Sequence, residues 1–594
     1  MPTRFVQASD GTRLAVYEDG DPAGPTLVMV HGWPDSHVLW NSVVAKLGRY
    51  RIVRYDVRGA GASDVPAAAS AYTLGQLADD FEAVAMAVSP KDPVHVVAHD
   101  WGAATLWEYI SRPQAGARVA SYTSISGPDP GHLSRYLRDG LARPYRPKRF
   151  ARALSQGLHF SYMVFFRTAL APVAMRAFLA EAGRRFVINA GLPSQHRHQG
   201  PTFVADAANG MKIYRANFPR ALRNPSRDAR RDRQVSVPVQ LLVNTQDQFV
   251  RPYVYDDVYD DVYDDTSRWA TKLWRRDIRA GHWSPLSHPQ VVAAAVAELV
   301  DHLEGAPAPR ALLRAELGRV RKTFGDTLVV VTGAGSGIGR ETAKAFAAGG
   351  AEVVVSDIDG AAADSTAAEI THIGGTAHVY TLDVADAEAI ERFADQVCAD
   401  HGVPDVVVNN AGIGMAGSFL DTPAEQFDRV LEVNLGGVVN GCRAFARLLV
   451  ERGTGGHLVN VASMAAYAPL SSLNAYCTSK AAVYMFSDCL RAELASAGVG
   501  LTTVCPGVIN TNIVHTTGIH VPAAGQPGVA RRRAALERMF EIRGYGPEKV
   551  ARAILASVRK DTPIRPVTPE AYLLYATSRL MPQALRSTAR GKIV

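Results

Sequence analysis

Short runs of branched apolar residues recur along the chain, each closing on glycine, an acid or a small polar residue. LVMVHG, RIVRYD, VHVVAHD and VQLLVN come first; TLVVVTG, AEVVVSD, DVVVNNAG, HLVNVAS and LTTVCPG follow after residue 326. Unbroken apolar runs, unlike an alternation of apolar and polar positions, predict strands buried on both faces. Stretches of helical pattern separate them, so the chain reads as α/β, with mostly parallel sheets. Its 594 residues exceed what one core fills. The series restarts after GAPAP (305–309), which predicts an α/β domain over 1–304, a linker over 305–325 and a second α/β domain over 326–594. The helix-like ALLRAELGRV beyond the linker start could pack on either neighbour. Residues 131–236 break the strand rhythm and are helical in pattern, which predicts a cap inserted over the first sheet. VYDDVYDDVYDD (254–265) repeats one unit three times. It reads as a tolerated surface duplication, because a calcium loop would need glycine and another spacing.

Composition changes this picture little. Apolar residues make up 47% and charged residues 20%, ordinary for a globular protein, and a net charge of +7 does not point to nucleic acid. Arg-rich stretches at 135–152, 227–233 and 531–533 read as solvated faces, with contact to an anionic membrane surface as the alternative. Cys398, Cys442, Cys477, Cys489 and Cys505 are odd in number and show no metal spacing. They predict reduced thiols, a cytoplasmic protein and no metal site. The N-terminus lacks an apolar signal core, and no apolar run reaches membrane-spanning length. The last segment, 571–594, mixes apolar and basic residues. It reads as a helix packed on its domain, or else as a peripheral contact with the inner face of the membrane or a dimer contact.

HVVAHDWGAA (95–104) resembles the nucleophile elbow of α/β-hydrolases, with Asp100 where a lipase carries Ser. A Ser that attacked an sp3 carbon would be left as a stable ether. A carboxylate forms an ester, and water can cleave it at the enzyme's own carbonyl. Asp100 therefore predicts displacement at an alkyl carbon, as in epoxide or alkyl halide hydrolysis. HGWP (31–34) resembles the oxyanion loop of epoxide hydrolases. The resemblance implies a hole made by the backbone N–H groups of Trp33 and Trp101. It also implies Asp247 as acid and His282 as base, in the order nucleophile, acid, base. In the cap, HFSYMVFFR and KIYRANF resemble the segments that carry two proton-donating tyrosines, here Tyr162 and Tyr214. An epoxide oxygen needs such donors, whereas a leaving halide needs only weak N–H donors. A haloalkane dehalogenase is the rival reading of this half.

VVVTGAGSGIGR (329–340) is a strand, a glycine turn and a helix start. With NNAG, Asn434, Ser463, the YxxxK pair Tyr476 and Lys480, and PGVINT, it resembles the short-chain dehydrogenase/reductase family in order and spacing. The resemblance implies a Rossmann-type fold and a nicotinamide cofactor held by Gly333, Ser336, Gly337, Ile338, Gly339, Asp357, Asp383, Val384, Asn410, Tyr476, Lys480, Pro506, Gly507 and Thr511. Asp357, at the end of the second strand, favours NAD(H) over NADP(H), because a carboxylate repels a 2′-phosphate. Tyr476 and Lys480 are four apart and share a helix face. The ammonium is expected to lower the phenol pKa, with Ser463 holding the substrate oxygen and Asn434 anchoring a proton-relaying water.

The whole chain resembles two-domain hydrolase–oxidoreductases of mycolic-acid-making bacteria. That implies a lipid epoxide substrate, an alcohol or ketone for the second half, and homo-oligomers formed through the second domain. The rival readings are a dehalogenase half, a hydrolase-like binding domain beside an active reductase, and a membrane-surface scaffold.

Overall fold

The computed structural model describes residues 1–179, 202–223, 235–256, 270, 272–511, 517–520 and 545–588. The chain divides into two compact units, Met1–Arg319 and Val320–Val594.

The first unit is built on strands β1 (Arg4–Gln7), β2 (Arg13–Gly20), β3 (Thr26–Val30), β4 (Arg51–Tyr55), β5 (Val94–His99), β6 (Val119–Ile125), β7 (Val239–Asn244) and β8 (Leu273–Ile278). They form one sheet in the order β1-β2-β4-β3-β5-β6-β7-β8. Among the described strands of this sheet, only the β1–β2 and β2–β4 pairs are antiparallel. Every residue of β5 and β7 is buried, as in strands covered on both faces, and the polar His95 and Gln240 within them are hydrogen-bonded to Ser121 and to the Ala295 carbonyl. From β3 the chain moves outward to β4 and then returns to β5 on the other side. This reversal opens a crevice at the carboxyl ends of β3 and β5. Between β6 and β7 lie the helices predicted as a cap, among them Pro130–Leu141, Pro147–His159, Tyr162–Phe166, Phe203–Gly210 and Lys212–Arg223. The helix Arg310–Ala315, inside the stretch read as a linker, packs Leu312 and Ala315 on Trp274 and Leu299 of the first unit. Most of the VYDD repeat lies outside the described residues. Of its first copy, Val254 and Tyr255 are buried and Asp256 pairs with Arg275 at 2.8 Å.

The second unit carries β9 (Leu328–Thr332), β10 (Glu352–Asp357), β11 (Thr376–Thr381), β12 (Val406–Asn409), β13 (Met415–Gly417), β14 (Gly456–Val461), β15 (Val499–Cys505), β16 (Gly518–His520) and β17 (Ile564–Pro566). Its main sheet runs β11-β10-β9-β12-β14-β15-β17, parallel throughout. The order reverses at β9 and β12, which opens a second crevice of the same kind. Short β13 and β16 pair apart from it, a pairing their sequences do not announce.

Candidate active sites

In the first unit β5 ends at His99 and the helix Trp101–Ile110 starts two residues later. Asp100 sits between them at φ 52° and ψ −121°. A non-glycine residue held there costs about 1–3 kcal/mol, and surrounding structure must hold it in place. Glycines make the room. A Cβ on Gly32 would lie 2.6 Å from Asp100 Cβ, and one on Gly102 would lie 2.5 Å from the His31 carbonyl. The strained turn lifts the carboxylate into the crevice. Its Oδ2 accepts the Trp33 N–H at 3.0 Å, and the Trp101 N–H donates to the same carboxylate. Its Oδ1 faces His282 Nε2 at 3.7 Å. His282 Nδ1 lies 2.8 Å from Asp247 Oδ2, and Asp247 Oδ1 accepts the N–H groups of Phe249 and Val250. Loops after β3, β5, β7 and β8 thus bring together Trp33, Asp100, Trp101, Asp247 and His282.

The electrostatics suit an ion pair. Burial alone would depress the His282 pKa. Asp247, assisted by Asp100 and Asp35, overrides it and carries the imidazole up to about 9. Burial would raise Asp247, but His282 and two N–H donors hold it below the usual carboxylate range. Burial raises Asp100, with His282 opposing.

From the cap, Tyr162 and the buried Tyr214 meet edge-on with ring centroids 6.2 Å apart, and their side chains are hydrogen-bonded to each other. Tyr214 packs on Trp33 at 5.5 Å and Trp101 at 5.1 Å. Burial and the nearby Asp100 charge push both phenols well above their ordinary range, so both are protonated donors.

Asp35 is the residue that motif reading missed. It accepts a hydrogen bond from Trp283 Nε1 at 3.0 Å. Burial, with Asp100 adding to it, pushes its pKa up to about 7. It directly follows HGWP, but its meeting with the loop after β8 is visible only once the sheet is assembled.

In the second unit β9 ends in the turn leading to the helix Gly337–Ala348. Gly333 at φ 63° and Gly337 at φ 54° take left-handed conformations that favour glycine. A Cβ on Gly339 would lie 2.0 Å from the Gly333 carbonyl oxygen. Ser336 stands at the N-cap without a side-chain capping bond. The first N–H groups of that helix therefore form an anion cradle of the kind that holds phosphate. Ile338 packs into the core beneath the turn. Asn410 Nδ2 donates to the carbonyls of Thr332 and Gly333, both at 3.0 Å, and Thr511 stands over Gly337. Asp357 closes β10 beside the turn, with Oδ2 accepting the Gly335 N–H at 2.8 Å. Asp383 pairs with Arg429 at 3.0 Å, and Val384 packs under Gly437. The Pro506 carbonyl accepts the Met464 N–H, and Gly507 lies against Thr568 and Glu570. Cradle, carboxylate and glycine turn fit a nicotinamide dinucleotide.

Ser463 follows β14, and Tyr476 and Lys480 lie on the helix Asn474–Leu494. Ser463 and Tyr476 are hydrogen-bonded through their side chains. Asn434 sits in a π-helical turn, Glu432–Gly436, a distortion found often at functional sites. It brackets Ile413, accepting its N–H at 2.8 Å and donating to its carbonyl at 3.0 Å. A Cβ on Gly412 would lie 3.1 Å from Asn434 Oδ1 and 3.4 Å from Lys480 Nζ, so both face the same gap.

One expectation is corrected. The spacing predicts that the Lys480 ammonium lowers the Tyr476 pKa, yet burial pushes the phenol up and depresses Lys480 to about 8. Lys480 Nζ donates to the Val461 carbonyl at 2.9 Å and lies 5.9 Å from the Tyr476 ring centroid. Both groups are desolvated, and the ammonium is tied to a backbone carbonyl.

Comparison with known proteins divides the chain the same way. The alpha/beta hydrolase fold family model matches residues 25–289, and the short chain dehydrogenase family model matches residues 327–520. A Mycobacterium tuberculosis protein named "Probable oxidoreductase EphD" is 60% identical over 594 residues, 100% of this chain and 99% of its own. The 1-deoxy-11-beta-hydroxypentalenate dehydrogenase of Streptomyces exfoliatus is 40% identical over 210 residues, 35% of this chain and 76% of its own. A short chain dehydrogenase/reductase from Burkholderia phymatum, solved in complex with NAD, aligns with a TM-score of 0.40 and 27% identity over 45% of this chain and 96% of its own.

Proposed function

The chain belongs to the family that joins an α/β-hydrolase domain to a short-chain dehydrogenase/reductase domain, and from this premise we propose that it is a bifunctional enzyme of lipid metabolism. Its first half hydrolyses a lipid epoxide to a vicinal diol. Its second half, with NAD(H), interconverts an alcohol and a ketone.

One observation carries the hydrolase reading. The two oxygens of Asp100 face different partners, Oδ2 the Trp33 N–H at 3.0 Å and Oδ1 the open side near His282 at 3.7 Å. Oδ1 attacks a ring carbon, the C–O bond breaks, and Tyr162 or Tyr214 gives the departing oxygen its proton. The ester keeps Oδ2 in the hole. Neutralising Asp100 removes one of the charges that hold the His282 proton, so the imidazole becomes a base for water. Water gives a proton to His282 as it adds to the ester carbonyl, and the hole stabilises the oxyanion on Oδ2. The diol leaves with that proton on its second oxygen, and the proton of the new carboxyl group restores the tyrosine. The experiment is incubation with a long-chain epoxy fatty acid, without nicotinamide, followed by mass spectrometry of the product. Diol from the wild type supports the reading; no diol across an epoxide panel refutes it.

The cap separates this reading from dehalogenation. Tyr162→Phe and Tyr214→Phe are each expected to slow epoxide opening ~10²-fold, the scale of a lost acid catalyst. Single-turnover kinetics with an epoxide and a bromoalkane check this. Unchanged epoxide opening in both variants would remove the tyrosines from the reaction.

Asp35 gives a pH prediction. As an anion it favours the His282 imidazolium, so its removal lowers the His282 pKa from about 9. His282 acts as base when neutral. Asp35→Asn should therefore move the acid limb of ester hydrolysis to lower pH, by up to about one unit. The pre-steady-state pH profile reads this, and an unmoved limb contradicts it.

In the second half, Ser463 positions the substrate oxygen, Tyr476 exchanges its proton, and Asn434 with Lys480 lines the route by which that proton is replaced. The dinucleotide, held by the Gly333–Gly339 turn and by Asp357, supplies or accepts the hydride when bound. Asp357→Ser should raise the NADP(H)/NAD(H) preference by about tenfold or more, because one repelling charge is gone. Initial rates with both cofactors measure it, and an unchanged ratio places the discrimination elsewhere.

A further inference from the structure

The second unit carries a cluster that neither active site uses. Glu352 opens β10, His378 lies on the adjoining edge strand β11, and His401 is the last residue of the helix Ala387–His401. One donor atom from each lies within 4.8 Å of the others. His378 Nε2 is 2.6 Å from Glu352 Oε1, and His401 Nδ1 is 3.9 Å from that same oxygen. The imidazoles stack with centroids 3.9 Å apart. We propose that Glu352, His378 and His401 form a binding site for a zinc-class divalent cation that pins the edge strand to its neighbour and to the helix end.

Four features support the assignment. Two imidazoles with one carboxylate are the donor set of zinc and cobalt, whereas magnesium and calcium take oxygen-rich sets. His401 is oriented from behind, since its Nε2 lies 2.9 Å from the Tyr380 hydroxyl, which donates to Asp400 Oδ2 at 3.0 Å. This is the backing that metal-bound histidines have, and it leaves Nδ1 toward Glu352. The helix C-terminus carries partial negative charge and favours a cation beside its last residue. Glu352 and His378 are partly exposed, with side chains 25% and 29% accessible, which leaves solvent a coordination position. Binding requires the 2.6 Å contact to open, and the 3.9 Å contact to His401 to close, to roughly 3.2 Å, the span of two ligands each ~2.1 Å from one ion. For partly exposed side chains this is a small rotamer movement. The site stands at the start of β10, about 16 Å along the strand from Asp357, and so apart from the dinucleotide cradle.

The spacing of the three residues carries no metal motif. The sequence predicts no site, because strand pairing and one helix end create it.

The test uses the full chain, stripped with a chelator and titrated with Co²⁺. The wild type is expected to bind one tight equivalent with a visible ligand-field spectrum. His378→Gln and His401→Gln should lose that equivalent or bind it at least 100-fold more weakly, while their melting temperatures without metal match the wild type. Equal stoichiometry and affinity in wild type and variants overturns the proposal. Diethylpyrocarbonate footprinting of the wild type needs no variant. Zn²⁺ should protect His378 and His401 and leave the exposed His372 reactive. Equal labelling of all three with and without Zn²⁺ overturns it as well.

Discussion

Asp100→Ala is expected to abolish diol formation, with a loss of at least ~10³-fold, while NAD-dependent turnover at the second site stays at the wild-type rate. The size follows from the chemistry. Without the carboxylate no ester can form, and what remains is water attacking directly with help from the cap tyrosines. The substitution leaves the backbone strain in place, since alanine at φ 52° is strained as aspartate is. Thermal melting therefore has to accompany the rate measurement, and it distinguishes lost chemistry from lost structure. Diol formation by Asp100→Ala at more than about a tenth of the wild-type rate would show that the carboxylate is not the nucleophile.

Tyr476→Phe is expected to have the second largest effect, a fall of ~10²–10⁴-fold in oxidoreduction with NADH affinity nearly unchanged. The phenol is hydrogen-bonded to Ser463, where the substrate oxygen is to be held, and burial has pushed its pKa up. A phenol in that state is a proton donor first, suited to completing reduction of a ketone. In the oxidative direction the phenol must be ionised, and Lys480, itself depressed to about 8, gives little help while bound to the Val461 carbonyl. The oxidative rate should therefore rise with pH across the neutral range, and Tyr476→Phe should remove that rise along with the activity. Fluorescence titration of NADH beside stopped-flow hydride transfer separates binding from chemistry. Unchanged hydride transfer in Tyr476→Phe would assign the proton step to another residue.

What could be read in the sequence differs by kind of feature. Both α/β units were legible because parallel strands buried on both faces, such as β3 and β9, read as near-continuous apolar runs. The residues at their carboxyl ends were legible because each lies within a few positions of a strand end: Asp100 after β5, Gly333 after β9, Ser463 after β14. Chain order then supplied Asp247 and His282. Features made by assembly were not legible. Asp35 acquires its elevated pKa from burial and from the Asp100 charge, against the opposing Trp283 hydrogen bond, and these surroundings meet it only through the sheet. Glu352, His378 and His401 come together through strand register and a helix end. The helix Arg310–Ala315 looked like part of a linker because its apolar side is short, and Trp274 and Leu299 give it a place to pack. Lys480 shows the limit of spacing rules. Four residues on a helix put it on the same face as Tyr476, but where its ammonium donates is settled by the Val461 carbonyl.

The central claim is a covalent ester on Asp100. It is tested most directly by a single turnover of an epoxide in heavy-oxygen water, with enzyme in excess, followed by mass spectrometry of both the diol and the peptide containing Asp100. Water that attacks the ester carbonyl leaves its oxygen on the enzyme, so the account predicts the label in the Asp100 carboxylate and an unlabelled first diol. Label in the diol and none in the peptide would mean that water attacks the epoxide itself, and would contradict the account.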